Sequence, residues 1–178
     1  MNRQQRDLPL DCDGTILRRL TRADLLRFQA YRADPEVARY QGWEPMADEA
    51  ALSFLQSNQV APLFVPGRWN QLGITVAPSD EISGDIGLCL SMDGREVEIG
   101  ISLERRQQGR GVASRAFTGA VQFVFGSTRA QRVVAVTDSR NTSCIRLLKG
   151  CGMRKVDEWI REFRGEDCLE FEFEIGRN

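Results

Sequence analysis

One segment limits the fold of this chain more than any other. In ERRQQGRGVASRA, residues 104–116, a strand-like stretch becomes a helical one through two glycines and four arginines. Upstream, from Trp69 to Leu103, apolar residues alternate in three runs, WNQLGITVA, GDIGLCLSM and REVEIGISL, separated by turns at PSDEIS and at Asp93-Gly94. Runs so closely spaced predict three consecutive antiparallel strands. Downstream, Ala113, Ala116, Phe117, Ala120, Val121 and Val124 fall at offsets of 0, 3, 4, 7, 8 and 11, one face of a helix from about Val112 to Phe125. Arg132 to Asp138, RVVAVTD, is then a β-branched run suited to a central strand buried on both faces. Because a helix separates it from REVEIGISL, these two strands are expected to run parallel, joined by a right-handed crossover.

The flanks add further elements. After a polar N-terminal arm, Thr15 to Leu20 reads as a first strand, and Thr21 caps a helix from Arg22 to about Tyr31. Asp34-Pro35 marks a boundary, and Asp48 to about Gln56 is a second helix with Ala51, Leu52 and Leu55 on one side, ended by Pro62, Pro66 and Gly67. Asn141 caps a helix carrying Cys144, Leu147, Leu148 and Cys151, stopped by Gly152. Val156 to Phe163 and Cys168 to Ile175 form a last strand pair turning at Arg164-Gly165. The 178 residues, with no internal repeat, are expected to form one domain over 1–178. No stretch approaches the roughly 18 apolar residues of a membrane helix, and MNRQQRDLPLDCDG lacks the apolar run of a signal peptide, so a cytoplasmic protein is expected.

The arginine-glycine segment has the makings of an anion site. Glycine lets backbone N–H groups approach an oxyanion, a new helix offers unpaired N–H groups and a positive dipole end, and Arg105, Arg106, Arg110 and Arg115 add charge-assisted bonds. The ligand implied is a phosphate ester; the plainer alternative is a flexible arginine-rich loop. No Walker G-x-x-x-x-G-K-[ST] is present. The Rossmann G-x-G-x-x-G fails because Ser114 stands at its third glycine and the loop after Leu103 is too long for its tight turn.

Composition removes most other chemistries. With 24 basic and 25 acidic residues and a net charge of -1, no surface devoted to nucleic acid is expected. There is no histidine, which excludes a Ser-His-Asp triad, a Cys-His dyad and a histidine-bearing zinc site, and no metal is expected. The five cysteines, Cys12, Cys89, Cys144, Cys151 and Cys168, form no C-x-x-C pair and read as reduced thiols.

Arg106-Gln107-Gln108-Gly109-Arg110-Gly111 resembles the R/Q-x-x-G-x-G/A signature of the GNAT superfamily of N-acetyltransferases. GDIGL and EVEIG on the preceding strands and NTSCIRLLKGCGM after the following one strengthen the likeness. Thr15 to Leu20, YRADPEVARYQGW ending at Trp43, and the Phe163 to Glu166 turn are similar to the ribosomal-protein-alanine N-acetyltransferase branch. The resemblance implies an α+β fold: a mixed, mostly antiparallel sheet of six or seven strands, two central parallel strands splayed apart, and about four helices packed on both faces. It also implies acetyl-coenzyme A as co-substrate, its pantetheine arm joining the sheet as an added strand. By that resemblance the backbone of Ile101, Ser102 and Leu103 binds pantetheine. Amides from Gln108 through Gly109, Arg110, Gly111 and Val112 to Ala113 bind pyrophosphate, with Arg106 beside them. Asn141 would lie near the pantetheine arm, or serve only as a helix cap, and Arg146 is a weaker donor contact.

Acetyl transfer to an amine needs a neutral nucleophile, a stabilised oxyanion and a proton for the departing thiolate. Glu98 interrupts an apolar strand next to the donor edge, and partial burial would raise its pKa and suit it to accept a proton. Alternation equally allows it to face solvent, and Glu96 and Asp85 are lesser alternatives. For the leaving group, the tyrosine that many relatives carry seven residues after the asparagine is replaced by Leu148, leaving Ser143 and Cys144 as candidates. Cys144 also fits the buried stripe of its helix, and without histidine to activate a thiol, direct transfer in a ternary complex is preferred to an acyl-cysteine route. On the acceptor side Tyr40, Trp43 and Asp85 are candidates, and Glu170, Glu172 and Glu174 share one face of the last strand. The acceptor is expected to be a protein N-terminal amine. Alternatives are a small amine such as a polyamine or aminoglycoside, or a silent coenzyme A-binding module, in a monomer or homodimer.

Overall fold

The computed structural model describes residues 7–177. β1 (Leu10–Cys12) and β2 (Thr15–Arg19) form a hairpin around Asp13 and Gly14, both with positive φ, 58° and 77°. Residues 22–24 make a 3-10 turn whose Asp24 carboxylate accepts from the Thr21 N–H at 2.7 Å, leading into α1 (Leu25–Arg32). α2 (Pro35–Ala38) is one turn capped by Asp34, and α3 (Asp48–Val60) follows. The predicted meander is β3 (Trp69–Val76), β4 (Ile82–Leu90) and β5 (Glu96–Leu103). Then come α4 (Val112–Ser127), β6 (Arg132–Asp138), α5 (Thr142–Gly150), β7 (Arg154–Phe163) and β8 (Glu166–Gly176).

The strands form one sheet in the order β1-β2-β3-β4-β5-β6-β8-β7, antiparallel except where β5 meets β6. Among the described residues there are eight strands, rather than six or seven, because the N-terminal arm contributes β1. Three residues are too few to show alternation, although Asp13-Gly14 is the residue pair a two-residue hairpin turn favours. The described residues form five α-helices rather than about four, α2 being a single turn that apolar periodicity cannot reveal.

Two layers of helix enclose the sheet. α4 presents Ala116, Phe117, Ala120, Val121 and Val124 to Leu72, Ile74, Ile86, Leu88, Val97, Ile99 and Val133. The opposite face of β4, set by the alternation of Asp85 with Ile86, meets α1, whose Phe28 and Tyr31 pack with Leu20, Ala51, Leu55 and Ile82. At about 25 cal/mol per Å² of apolar area, each fully buried Phe or Leu contributes on the order of 2 kcal/mol.

The two parallel strands are paired only at Glu96–Glu98 against Arg132–Val134. Beyond that, β5 stays with β4 as far as Leu103 and β6 stays with β8 as far as Asp138. Each strand follows its outer neighbour, and a wedge opens between them at the heart of the sheet.

Candidate active site

The wedge exposes a strand edge of known register. Glu96 C=O accepts from Ser91 N–H at 2.9 Å and Glu104 N–H donates to Ser83 C=O at 2.7 Å. In an antiparallel ladder these bonds alternate, so residues 96, 98, 100, 102 and 104 spend their main-chain groups on β4, while those of Ile99, Ile101 and Leu103 turn the other way. On the β6 side no strand of the sheet pairs with Ile101 or Leu103. Of the three residues expected at the donor, Ile101 and Leu103 therefore present groups to the wedge, whereas Ser102 is directed to β4 and is 4% exposed. Gly84 makes this approach possible: a Cβ there would lie 2.1 Å from the Ser102 carbonyl oxygen.

The edge runs directly into the cradle. Residues 105–107 form a 3-10 turn whose closing bond, Gln108 N–H to Arg105 C=O at 3.2 Å, takes up the Gln108 amide; the row of main-chain donors begins at Gly109. Gly109 and Gly111 hold φ of 71° and 75°, left-handed values that L side chains resist, and Gly111 is the N-cap of α4. The first helical bond is Arg115 N–H to Gly111 C=O at 3.1 Å, so the amides of Val112, Ala113 and Ser114 have no intrahelical acceptor. Arg105, Arg106 and Arg110 are exposed and have no carboxylate within 4.0 Å among the described residues. Arg115 is turned away, its Nε donating to the Thr15 hydroxyl at 3.0 Å. Open amides, a helix N-terminus and three unpaired guanidiniums fit a diphosphate, and the adjoining edge fits an amide-bearing arm.

Glu98 sits at the apex, the last β5 residue in register with β6. Its carboxyl titrates above the usual carboxylate range, first because it is partly buried and then because Glu172, Glu96 and Glu170 repel its charge, with Arg161 opposing them. These acids come from β5 and β8 and share the face away from α4. Arg132 braces them, 2.6 Å from Glu96 and 2.7 Å from Glu174, and Arg161 lies 3.7 Å from Glu170. Burial likewise raises Glu172. The result is an acidic floor leading to the apex, with the elevated Glu98 carboxyl at its end.

α5 starts beside the other arm of the wedge. The Asn141 carboxamide oxygen accepts from Cys144 N–H at 3.1 Å, so the capping role is realised. Burial holds the Cys144 thiol above its ordinary pKa, only partly offset by a hydrogen bond with Thr137, and Cys144 packs against the main core. A neutral, desolvated thiol is a poor nucleophile. Ser143 and Arg146 are exposed on the same helix, and Leu148 is 1% exposed in the core.

Of the three acceptor-side candidates, Tyr40 and Trp43 are half-buried and Asp85 is buried. The Tyr40 hydroxyl reaches the Arg140 carbonyl at 3.5 Å, and the Trp43 ring lies 4.5 Å from the Arg32 guanidinium. Asp85 is 3% exposed: it accepts from the Tyr31 hydroxyl and pairs with Arg32 at 3.0 Å, so it is closed to an acceptor and anchors α1 to β4. Arg32 and Gln41 carry no marker in the sequence reading. Phe28 and Arg32 are four apart, which places that arginine on the buried face of α1, but nothing local tells that the Gln41 carboxamide donates to the Ile101 carbonyl at 3.2 Å.

A splayed parallel pair with an open edge, a glycine-hinged anion cradle at the end of that edge and an elevated carboxyl at the apex define an acyl-coenzyme A-dependent transferase. Residues 15–154 match the family model described as Acetyltransferase (GNAT) domain, and the chain belongs to the GNAT acetyltransferases, which take their acetyl group from acetyl-coenzyme A. Two relatives are an uncharacterized N-acetyltransferase YoaA of Bacillus subtilis (strain 168), 32% identical over 148 residues and 82% of each chain, and an uncharacterized N-acetyltransferase p20 of Bacillus licheniformis, 31% identical over 127 residues and 70% of each. Among solved structures, a GNAT-family acetyltransferase from Bacillus anthracis superposes with a TM-score of 0.83 at 18% identity, covering 95% of this chain and 98% of that one. The ribosomal alpha-N-protein acetyltransferase RimL, in complex with coenzyme A, gives 0.79 at 13% identity, covering 92% and 94%. A spermidine N-acetyltransferase from Vibrio cholerae, in complex with coenzyme A and spermine, gives 0.77 at 19% identity, covering 92% and 95%. These structures share the fold.

Proposed function

We propose that this N-acetyltransferase acts on a primary amine that enters along the acidic floor, with Glu98 as the group that accepts its proton, directly or through water. The observation that carries this reading is the position of Glu98: at the apex, made more basic than an ordinary glutamate first by burial and then by the charges of Glu172, Glu96 and Glu170. Acetyl-coenzyme A supplies the acetyl group. On the protein side, the amides from Gly109 to Ala113, with Arg106 and Arg110, hold the diphosphate. Ile101 and Leu103 offer main-chain groups to the arm, and Asn141 borders it. Arg146 is a peripheral contact. Ser143, exposed at the first turn of α5, is the better-placed hydroxyl for the departing thiolate, while the elevated Cys144 thiol can donate but not attack.

The leading acceptor is a protein N-terminal amine, supported by the likeness of Thr15 to Leu20, of YRADPEVARYQGW ending at Trp43 and of the Phe163 to Glu166 turn to the ribosomal-protein branch. A small polycationic amine is the second reading, favoured specifically by the acidic floor. Thiol release from acetyl-coenzyme A, measured against alanine- and serine-initiated peptides, polyamines and aminoglycosides, tests both. Turnover with peptides alone supports the first and turnover with polyamines alone the second. No release with any amine, despite coenzyme A binding, would point to a silent binding module.

A further inference from the structure

The open edge of β5 is not bare. Its two outward carbonyls are each met by the carboxamide of a glutamine: Gln41 Nε2 donates to Ile101 at 3.2 Å, and Gln108 Nε2 donates to Leu103 at 2.9 Å. The two side chains arrive from different places. Gln108 belongs to the cradle, and Gln41 to the segment between α2 and α3. Both carry the group an added strand would bring, an amide N–H, to the positions an added strand would use.

We propose that Gln41 and Gln108 are plugs that occupy the donor's strand edge until the amide-bearing arm of coenzyme A displaces them, and that displacement of Gln41 carries the signal to the acceptor mouth. This rests on the reading that the arm pairs with β5. An unpaired edge in the middle of a sheet is a template for any passing strand, and two glutamines cover it without sealing it. Because each carboxamide hydrogen bond must be exchanged for one from the ligand, the plugs lower donor affinity by the free energy of bonds the ligand merely replaces.

Gln41 is also tied to the mouth. Its main-chain carbonyl accepts from Arg164 Nη2 at 3.5 Å, a guanidinium that also lies 3.3 Å from Glu44, and the neighbouring Tyr40 hydroxyl reaches Arg140 C=O. One short segment thus touches the donor edge, the β7–β8 turn and the β6–α5 junction. It is pinned on one side by buried Val37 and on the other by Trp43 against Arg32. Releasing the Gln41 carboxamide frees the stretch between these pins, which carries the acceptor-side candidate Tyr40.

The test uses the whole protein with Gln41→Met, Gln108→Met and the double variant; methionine keeps the length of the side chain and removes the donated bond. Coenzyme A binding is measured by calorimetry, and hydrogen exchange is followed over residues 39–46. Each single replacement is expected to tighten coenzyme A about 2- to 10-fold, one net hydrogen bond's worth. In wild type, coenzyme A should speed exchange over 39–46, and in Gln41→Met that exchange should already be fast without ligand. Weaker or unchanged affinity in both single variants, with wild type binding normally, overturns the plugs and leaves the donor site standing. If wild type itself fails to bind coenzyme A, the reading beneath the proposal falls with it. A melting curve of each variant without ligand checks that it is folded; should the double variant fail that check, the single variants decide.

Discussion

Replacing Gly111 by alanine separates the stability of the cradle from its binding. At φ of 75° an L side chain costs roughly 1–2 kcal/mol. The new Cβ would meet only the end of the Arg115 side chain, 2.9 Å away, which is flexible enough to yield. For a chain of this length about 1 kcal/mol moves the melting point by about 2–4 °C, so Gly111→Ala should melt about 2–8 °C lower. Relaxation of the strain tilts the amides of Val112 and Ala113 away from the ligand, and losing one charge-assisted bond weakens coenzyme A about tenfold or more. With ligand at about 100 times the wild-type Kd, wild type gains about 2.7 kcal/mol, a rise of about 5–10 °C; the variant, at about 10 times its own Kd, gains about 1.4 kcal/mol, roughly half that rise. Gly126→Ala is the control: this residue lies in α4 with open space at its Cβ, so the substitution should stabilise by about 0.5–1 kcal/mol and leave the ligand-induced rise intact. Scanning fluorimetry of the three proteins with and without coenzyme A reads all six states. A lower melting point for Gly111→Ala with an undiminished rise on ligand would refute the cradle.

Three further outcomes are expected. Glu98→Gln should lower kcat by about 100-fold or more while coenzyme A still binds, and the wild-type rate should climb with pH through a value above the usual carboxylate range, since only the ionised form accepts a proton. Because the folded-state pKa of Glu98 is raised, its ionisation reduces stability as pH rises from the ordinary glutamate pKa through the elevated one, and Gln should remove that loss in urea titrations across the interval. Arg32→Met strands the buried Asp85 carboxylate and should cost about 3–5 kcal/mol by denaturant unfolding, whereas pairing it with Asp85→Leu should recover most of that loss; a double-variant loss equal to the sum of the two single losses would show that the pair is not coupled. Cys144→Ala should retain substantial turnover, and acetylated Cys144 trapped by mass spectrometry alongside a dead variant would reverse the preference for direct transfer.

Much of the fold was legible because it depends on neighbours close in the chain. The alternation of WNQLGITVA, GDIGLCLSM and REVEIGISL, the apolar stripe of α4, the Asn141 cap and the left-handed glycines at 109 and 111 are all settled within a few residues. The cradle was legible for the same reason: the end of a strand, two glycines and the first turn of a helix are consecutive. The short elements were not. β1 and α2 are too brief to carry a period, and only the Asp13-Gly14 pair and the Asp34-Pro35 cap mark where they lie.

What the sequence determined by itself is therefore a sheet of mixed direction and a glycine-hinged row of open amides at the start of α4. Tertiary structure decided which polar groups serve the chemistry and which the architecture. Asp85 looked free in the chain and is consumed by Tyr31 and Arg32, more than fifty positions away; Glu98 looked equally able to face water and is elevated first by burial and then by charges that include Glu172 and Glu170 from β8. Gln41 reaches Ile101 across sixty positions. Burial, charge repulsion and the pairing of side chains depend on distance in space, and the order of strands in the sheet, which brings β8 beside β6 and α1 over β4, sets those distances.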